Sequence, residues 1–358
     1  MGRSERQYVS DEVTQVYIEL STVCNLSCTT CVRNSIEGFS PRHFSRQMMK
    51  LFVRQARRLR SLQRIVLLGF GEALCNPDFK WHIRMLAGLD VPIYLVTNGI
   101  MLDEATAQML VDIPVHAVYV SIDDLAGTRP LIRKGSGSDD GSRAVKLLAH
   151  CKARTGNTLH VIGVETVATK SNVKDIPRII RHAGSLGAEE FIVTNLFPYD
   201  ESMKDEILYT VNGKNNTDLK KLLKKERRVF SIRTGKSRAD VLRRCPFIER
   251  GTLFVTSDGT VAPCPELAYT HPAWYFGSPR LHTRYNLGNI RDTDLDKIWN
   301  EKEFTTFRDE FNYFEFPDCS ICFQPDMCYH RTEEHKDCYA HETPCGECLW
   351  AKDIVICP

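Results

Sequence analysis

Three closely spaced cysteines constrain this chain more than any other feature: Cys24-Asn25-Leu26-Ser27-Cys28-Thr29-Thr30-Cys31. They follow a short alternating run, Val16-Tyr17-Ile18-Glu19-Leu20. Such a run reads as a strand, so the cysteines lie in a loop leaving that strand. Thiolates spaced C-x3-C-x2-C suit one cubane iron–sulfur cluster. A cubane holds four irons, so three cysteines leave one iron without a protein ligand. An open coordination position marks a metal that does chemistry. The competing reading is zinc, which wants four ligands, and no further Cys or His follows Cys31 before His43.

Composition narrows the class. Fourteen cysteines in 358 residues, grouped as C-x2-C and C-x3-C, favour metal ligation in a reducing compartment over disulfides. A formal net charge of +2 points to neither nucleic acid nor membrane surface. The polar start, residues 1–14, lacks the apolar core of a signal peptide. No run reaches the roughly 18 apolar residues that span a bilayer. A cytoplasmic protein is expected.

After the cysteine loop, residues 45–60 carry apolar side chains at helical spacing. Arg64-Ile65-Val66-Leu67-Leu68-Gly69 is a continuous apolar run that suits a buried parallel strand. It ends in Gly69-Phe70-Gly71-Glu72, where glycines let backbone approach a ligand and Glu72 could accept from an ammonium. The alternation then repeats. Residues 91–96 end in Thr97-Asn98, 115–122 carry Ser121 before Asp123 and Asp124, 160–167 carry Glu165, and 191–194 end in Asn195. Helical segments separate them at 104–111, 141–152 and 175–186. Six strands alternating with helices predict an α/β fold, a parallel barrel or open sheet, with polar residues at the strands' C-terminal ends. No G-x-G-x-x-G follows the first strand, so a dinucleotide fold is excluded. Cys75 follows the glycine turn on the rim, and Cys151 ends a predicted helix as an inert buried thiol.

Residues 199–244 show no clear strand. Between 220 and 244 they hold eleven Lys and Arg against Glu226 and Asp240. This reads as a bridge, solvated or acting as an electrostatic funnel for an anionic substrate. A second cysteine field follows: Cys245, Cys264, Cys319, Cys322, Cys328, Cys338, Cys345, Cys348 and Cys357. Between the first two, residues 252–261 predict a hairpin around Asp258-Gly259.

The triplet, with the Gly71-Glu72 turn one β/α unit later, resembles the radical S-adenosylmethionine (SAM) superfamily. The second cysteine field resembles its SPASM extension, which carries two auxiliary [4Fe–4S] clusters. Two departures are visible. Thr30 stands where that superfamily often has an aromatic residue, and Thr332 where the extension has a cysteine. The resemblance implies a partial (β/α)6 TIM-type barrel in residues 1–200, a bridge in 201–244 and a SPASM unit in 245–358. It implies that Cys24, Cys28 and Cys31 hold a [4Fe–4S] cluster. The open iron would chelate SAM, and one electron would cleave it to methionine and a 5′-deoxyadenosyl radical. Gly69, Gly71, Glu72, Thr97 and Asn98 are then candidate SAM contacts, with Ser121, Glu165 and Asn195 toward its ribose or carboxylate. Cys75 would donate a hydrogen atom to a substrate radical, as in epimerising members.

Nine cysteines exceed the eight that two fully ligated cubanes need. The preferred division sets Cys245, Cys264 and Cys338 on one cluster and Cys319, Cys322 and Cys328 on the other. Cys345, Cys348 and Cys357 would complete them. The ending, Thr343-Pro344-Cys345-Gly346-Glu347-Cys348-Leu349-Trp350 and Cys357-Pro358, resembles SPASM maturases of tungsten-containing aldehyde ferredoxin oxidoreductase. The resemblance implies a maturase acting on a cofactor or peptide, with ferredoxin or flavodoxin as electron donor. The alternative is a sugar dehydrogenase or epimerase.

Overall fold

The computed structural model describes residues 9–358 except 37, 126–131, 136, 138, 155–158, 212–216, 240–242 and 325–326. Residues 1–8 of the polar start, and Asp240 of the basic run, therefore lie outside the described residues. All six strands expected from sequence are present: β1 (Gln15–Ile18), β2 (Arg64–Leu67), β3 (Ile93–Thr97), β4 (Val115–Ser121), β5 (Val161–Ala168) and β6 (Glu190–Asn195). Each pairs in parallel with the next. The helices between them are α1 (Arg46–Ala56), α2 (Phe79–Ala87), α3 (Glu104–Asp112), α4 (Asp140–Arg154) and α5 (Ile176–Ser185). Of these α2 was not expected from sequence. Local capping fixes two helix starts. Ser45 accepts from Met48 N before α1, and Asp103 accepts from Thr106 N before α3.

Strand alternation sorts side chains onto two faces. Val16, Ile18, Ile65, Leu67, Ile93, Leu95, Val118, Val120, Ile162 and Val164 pack with the helices in the main core. The intervening Tyr17, Val66 and Phe254 form one cluster on the opposite, inner face, and Ala117, Tyr119 and Ile192 form another.

Residues 199–244 contain a strand after all, β7 (Ser231–Thr234), parallel to β6. It is four residues long with only Ile232 buried, so the surrounding basic run masked its pattern. At the other edge, β8 (Thr252–Val255) pairs in parallel with β1, Gln15 opposite Thr252 through Ile18 opposite Val255. It turns through Gly259, at φ +84°, into the antiparallel β9 (Thr260–Ala262), as the Asp-Gly signal predicted. A hairpin of β10 (His271–Tyr275) and β11 (Ser278–His282) stands apart, and β12 (Gly288–Asn289) pairs with β9. The ten-stranded order is β12-β9-β8-β1-β2-β3-β4-β5-β6-β7. The sheet therefore runs across both boundaries drawn from sequence, near 200 and 245.

The C-terminal tail enters the inner face of this sheet. Ile356 N donates to Thr194 Oγ1 at 2.9 Å, and Ile356 packs with Ala117, Tyr119 and Ile192. Cys357 packs beside Tyr17 and Phe254. No helix among the described residues is long and apolar enough to cross a membrane.

Phe254 is fully buried on β8 and faces Tyr17 of β1 and Phe70. Phe254→Ala is expected to cost about 3–5 kcal/mol. Because β8 and β1 share one ladder, urea unfolding followed by near-UV circular dichroism should stay a single transition at lower midpoint. Two separated transitions would show that the halves fold independently.

Candidate active site

The loops at the C-terminal ends of β1 to β4 enclose an open cleft, where barrels of this kind place their chemistry. It is lined by Cys24, Cys28 and Cys31 after β1, Gly69, Gly71 and Glu72 after β2, Thr97 and Asn98 after β3, and Ser121 closing β4. The two glycine-bearing and cysteine-bearing loops touch through backbone. Glu72 N donates to Val23 O at 2.8 Å, and a Cβ on Gly71 would lie 2.2 Å from Ser21 O.

Glu72 is buried and turned toward the chain. Its carboxylate accepts from Thr97 Oγ1 at 2.7 Å, Asn98 N at 2.7 Å and Leu74 N at 3.1 Å. Burial pushes its carboxyl above the usual range, and those three hydrogen bonds oppose the shift. Most of its acceptor capacity is thus spent on fixing the loops after β2 and β3. Asn98 continues the chain of contacts, donating to Asn25 Oδ1 at 2.8 Å, with Cys24 Sγ at 3.8 Å.

Arg133 also lines the cleft, and no sequence signal pointed to it. Its Nε pairs with Asp123 Oδ2 at 2.8 Å. Asp124 Oδ2 accepts from Ile132 N and Arg133 N at 2.8 and 3.0 Å. The same segment straps the cysteine loop, since Thr29 N donates to Ile132 O and Ser27 N to Lys134 O, both at 2.9 Å. Only contacts across a hundred residues make Arg133 visible. Burial pushes the Cys28 thiol up to about 11, with Arg133 opposing.

The three candidates for the far end of SAM separate. Ser121 lines the cleft. Glu165 is its neighbour across β4 and β5, where burial and then Asp123 push its carboxyl up to about 7 against Arg133 and Arg233. Asn195 instead donates to Lys236 O and Ile354 O, both at 2.9 Å, tying the tail to the sheet. His160 precedes β5, at the opposite end of the strand from the cleft. Cys75 sits on the rim outside the cleft lining, 3.5 Å from Met101 Sδ and 4.0 Å from Asn25 Oδ1. Burial, then Glu72, pushes its thiol up to about 11.

A second cavity gathers four cysteines: Cys245, Cys264, Cys345 and Cys348, among Phe247, Leu267 and Tyr275. Burial pushes Cys245 up to about 11 and Cys348 up to about 12, and holds Cys264 and Cys345 well above the usual thiol range. Four buried sulfurs that resist ionisation on their own suit a polynuclear cation, which supplies the missing positive charge. Among the described residues, no three cysteine sulfurs lie within 4.8 Å of one another, too wide for one zinc ion with bonds of ~2.3 Å. The donor sets fit iron–sulfur clusters.

The preferred division of cysteines is thereby corrected. Cys345 and Cys348 join Cys245 and Cys264, whereas Cys338 is exposed on another turn. Sequence spacing alone carries no pairing, and here the chain returns about eighty residues later. Cys319, half-buried, and Cys328 lie on a separate segment with the exposed Cys322. Cys357 Sγ stands 3.7 Å from Tyr17 Oη on the inner face of β1.

Comparison with known proteins follows this geometry. Residues 18–183 match the radical SAM superfamily, and residues 245–324 match SPASM, an iron–sulfur cluster-binding domain. The tungsten-containing aldehyde ferredoxin oxidoreductase cofactor-modifying protein of Pyrococcus furiosus is 27% identical over 96% of each chain. Among solved structures, Streptococcus suis SuiB bound to S-adenosylmethionine superposes with a TM-score of 0.64 at 16% identity, covering 94% of this chain and 76% of that one. The protein anSMEcpe with bound AdoMet gives 0.62 at 16% identity, covering 95% and 96%. The cleft falls within the first matched region, the four-cysteine cavity takes Cys245 and Cys264 from the second and Cys345 and Cys348 from beyond it, and the chain is a radical SAM enzyme with a SPASM domain, a member of the superfamily that binds a [4Fe–4S] cluster with SAM and further iron–sulfur clusters.

Proposed function

We propose that this enzyme is a maturase acting on an anionic substrate, a cofactor in the first place, held in a cleft beside the cysteine triplet. The observation that carries the reading is that second cleft. It is lined by Arg42, Arg284, Phe39, Thr22, Asp258 and Tyr269. Two arginines face one aspartate there. Arg42 pairs with Asp258 at 2.9 Å, while Arg284 lies 3.7 Å from it. Buried Nε and Nη2 of Arg284 make no hydrogen bond. Two shielded guanidinium nitrogens of that kind are suited to a phosphate or carboxylate. The clefts adjoin through Phe70, which lines the first and packs edge-on against Tyr269 of the second at 5.2 Å. The name of the Pyrococcus furiosus relative, a cofactor-modifying protein, agrees with a cofactor as substrate. A peptide is the second class of substrate, and ferredoxin or flavodoxin the electron donor.

In this reading residues 1–200 form the barrel, 201–244 the bridge and 245–358 the auxiliary cluster unit. Cys24, Cys28 and Cys31 hold the cleft's cluster. When bound, the cluster and SAM supply a 5′-deoxyadenosyl radical for hydrogen abstraction. Glu72 holds the loops after β2 and β3 so that backbone of Gly69 to Gly71 faces the ligand. Ser121 and Arg133 offer a hydroxyl and a cation to the ligand's polar end. Cys245, Cys264, Cys345 and Cys348 hold one auxiliary cluster, leaving Cys319, Cys322, Cys328 and Cys338 as the source of ligands for another. Two members of the basic run are taken up by the fold. Arg243 is turned inward, donating to Phe316 O at 2.7 Å, and Arg244 pairs with Glu249 at 2.8 Å.

Anaerobically reconstituted protein should hold about twelve irons per chain. Cys28→Ala should hold about eight and form no 5′-deoxyadenosine with dithionite and SAM. Cys348→Ala should lose iron yet still cleave SAM. Full cleavage by Cys28→Ala would sink the assignment of the triplet. Arg284→Gln should raise the Michaelis constant for the substrate about tenfold, the ~1.4 kcal/mol of one charge-assisted hydrogen bond, with basal SAM cleavage unchanged. An unaltered constant, with no dependence on added salt, would remove the anionic substrate.

A further inference from the structure

In the wall of the four-cysteine cavity, which Glu266 and His282 help to line, lies a buried cluster of a different chemistry. Glu266, in the short turn Pro265–Leu267, faces His271 and His282. The two histidines begin β10 and end β11 and are register partners across that hairpin, so their rings share one face. The rings stack at 4.8 Å. All three side chains are at most 5% exposed. Glu266 Oε1 lies 3.5 Å from His271 Nε2 and 3.2 Å from His282 Nδ1. Among the described residues these are the only three His, Cys, Asp or Glu ligand atoms within 4.8 Å of one another.

The hydrogen bonds around this triad leave its centre unsatisfied. His271 Nδ1 is 2.9 Å from Pro272 O. A carbonyl only accepts, so that nitrogen carries the hydrogen, and in the neutral ring Nε2 is a lone pair. That lone pair faces two acceptors, Glu266 O at 3.2 Å and Glu266 Oε1. His282 Nε2 is engaged by the Tyr275 hydroxyl at 2.8 Å. Its Nδ1 then faces the carboxylate, yet neither Nδ1 nor Glu266 Oε1 makes a hydrogen bond, although they are close enough. Buried polar atoms left this way are costly. The competing arrangement is a shared proton, with a doubly protonated His271 donating to Pro272 O and Glu266, and His282 donating Nδ1–H to Glu266 while accepting from Tyr275. One cation at the centre satisfies all three.

We propose that Glu266, His271 and His282 bind a single zinc ion, separate from the iron–sulfur clusters. Bonds of ~2.0–2.1 Å to nitrogen and oxygen give a tetrahedral ion ligand-to-ligand edges of roughly 3.3–3.4 Å. The two edges from Glu266 Oε1, 3.2 and 3.5 Å, match that range, and all three ligand atoms lie within 4.8 Å of one another. The far nitrogens are held as ligating histidines are usually held, one by a backbone carbonyl and one by a hydroxyl. Nitrogen and oxygen donors without sulfur distinguish this site from the cysteine donors of the cavity it borders. Tyr199 packs beside the triad, its ring edge-on to His271 at 5.3 Å. The ion would fasten the β10–β11 hairpin to the turn that follows Cys264.

The test uses the reconstituted holoprotein, exchanged against a small excess of zinc chloride and desalted, with zinc, iron and sulfide counted per chain. The expected result is about one zinc per chain in the wild type. In His271→Gln and in His282→Gln zinc should fall at least tenfold, with iron and sulfide unchanged. A wild type without zinc, or variants that keep it, would overturn the site and leave the triad as a proton-sharing network. Should a variant lose iron as well, zinc-edge X-ray absorption on the wild type decides. Nitrogen and oxygen neighbours at ~2.0–2.1 Å with imidazole scattering support the site, and a sulfur shell at ~2.3 Å overturns it.

Discussion

Two buried carboxylates hold the rim of this sheet together, and the active-site cleft depends on them. Glu72 joins the loop after β2 to the loop after β3 through Leu74 N, Thr97 Oγ1 and Asn98 N. Glu19, at the end of β1, accepts from Phe70 N at 3.0 Å, from Ser257 N at 3.1 Å and from the Tyr269 hydroxyl. Burial pushes both carboxyls up, so each is stable there only because several donors meet it. A hydrogen bond to a charged group is worth about 1.5–3 kcal/mol, and three together recover part of the desolvation cost of one carboxylate. Glu72 sets one wall of the first cleft, and Glu19 sets the wall between that cleft and the arginine-lined one. Removing either would leave buried backbone N–H groups without acceptors, which costs more than the lost bonds alone.

The arrangement explains which parts of the fold were legible in the sequence. The six strands were, because each is a run of apolar residues bounded by glycine or polar turns, and their inner and outer faces follow from alternation. The cysteine triplet and the Gly71-Glu72 turn were legible because cluster and ligand chemistry demands residue types at fixed local spacing. β7 was not, since an edge strand of four residues with one buried side chain carries almost no pattern. The union of β8 with β1 was hidden as well, because the pairing joins residues more than two hundred positions apart.

Site residues divide the same way. Ser121 was legible at a strand end and does line the cleft. Asn195 occupies an equivalent strand end, but the incoming tail takes its amide, and nothing in the local sequence announces a partner 159 residues away. Arg133 reaches the cleft by an irregular segment whose placement rests on Asp124 and on backbone bonds to Ser27 and Thr29. The cysteine grouping failed for the same reason. Spacing identifies ligands, whereas only the folded path decides that Cys345 and Cys348 return to Cys245 and Cys264.

The shared sheet has a consequence for how the two cluster sites relate. The cysteine triplet leaves the C-terminal end of β1, and β8, which lies hydrogen-bonded beside β1, leads through β9 to Cys264. The two cluster loops therefore spring from neighbouring strands of one ladder, with Ser257 after β8 bonded to Glu19 of β1. The tail adds a second tie, running from Cys348 through Ile354 and Ile356 onto β6 and the inner face. Main-chain hydrogen bonds and a buried carboxylate resist relative motion far better than a flexible linker would. The arginine-lined cleft thus has a fixed wall, with residues from both cysteine-bearing regions in place: Arg42 after the triplet, and Asp258, Tyr269 and Arg284 on either side of Cys264 and the β10–β11 hairpin. The C-terminal region builds the arginine-lined cleft together with the barrel.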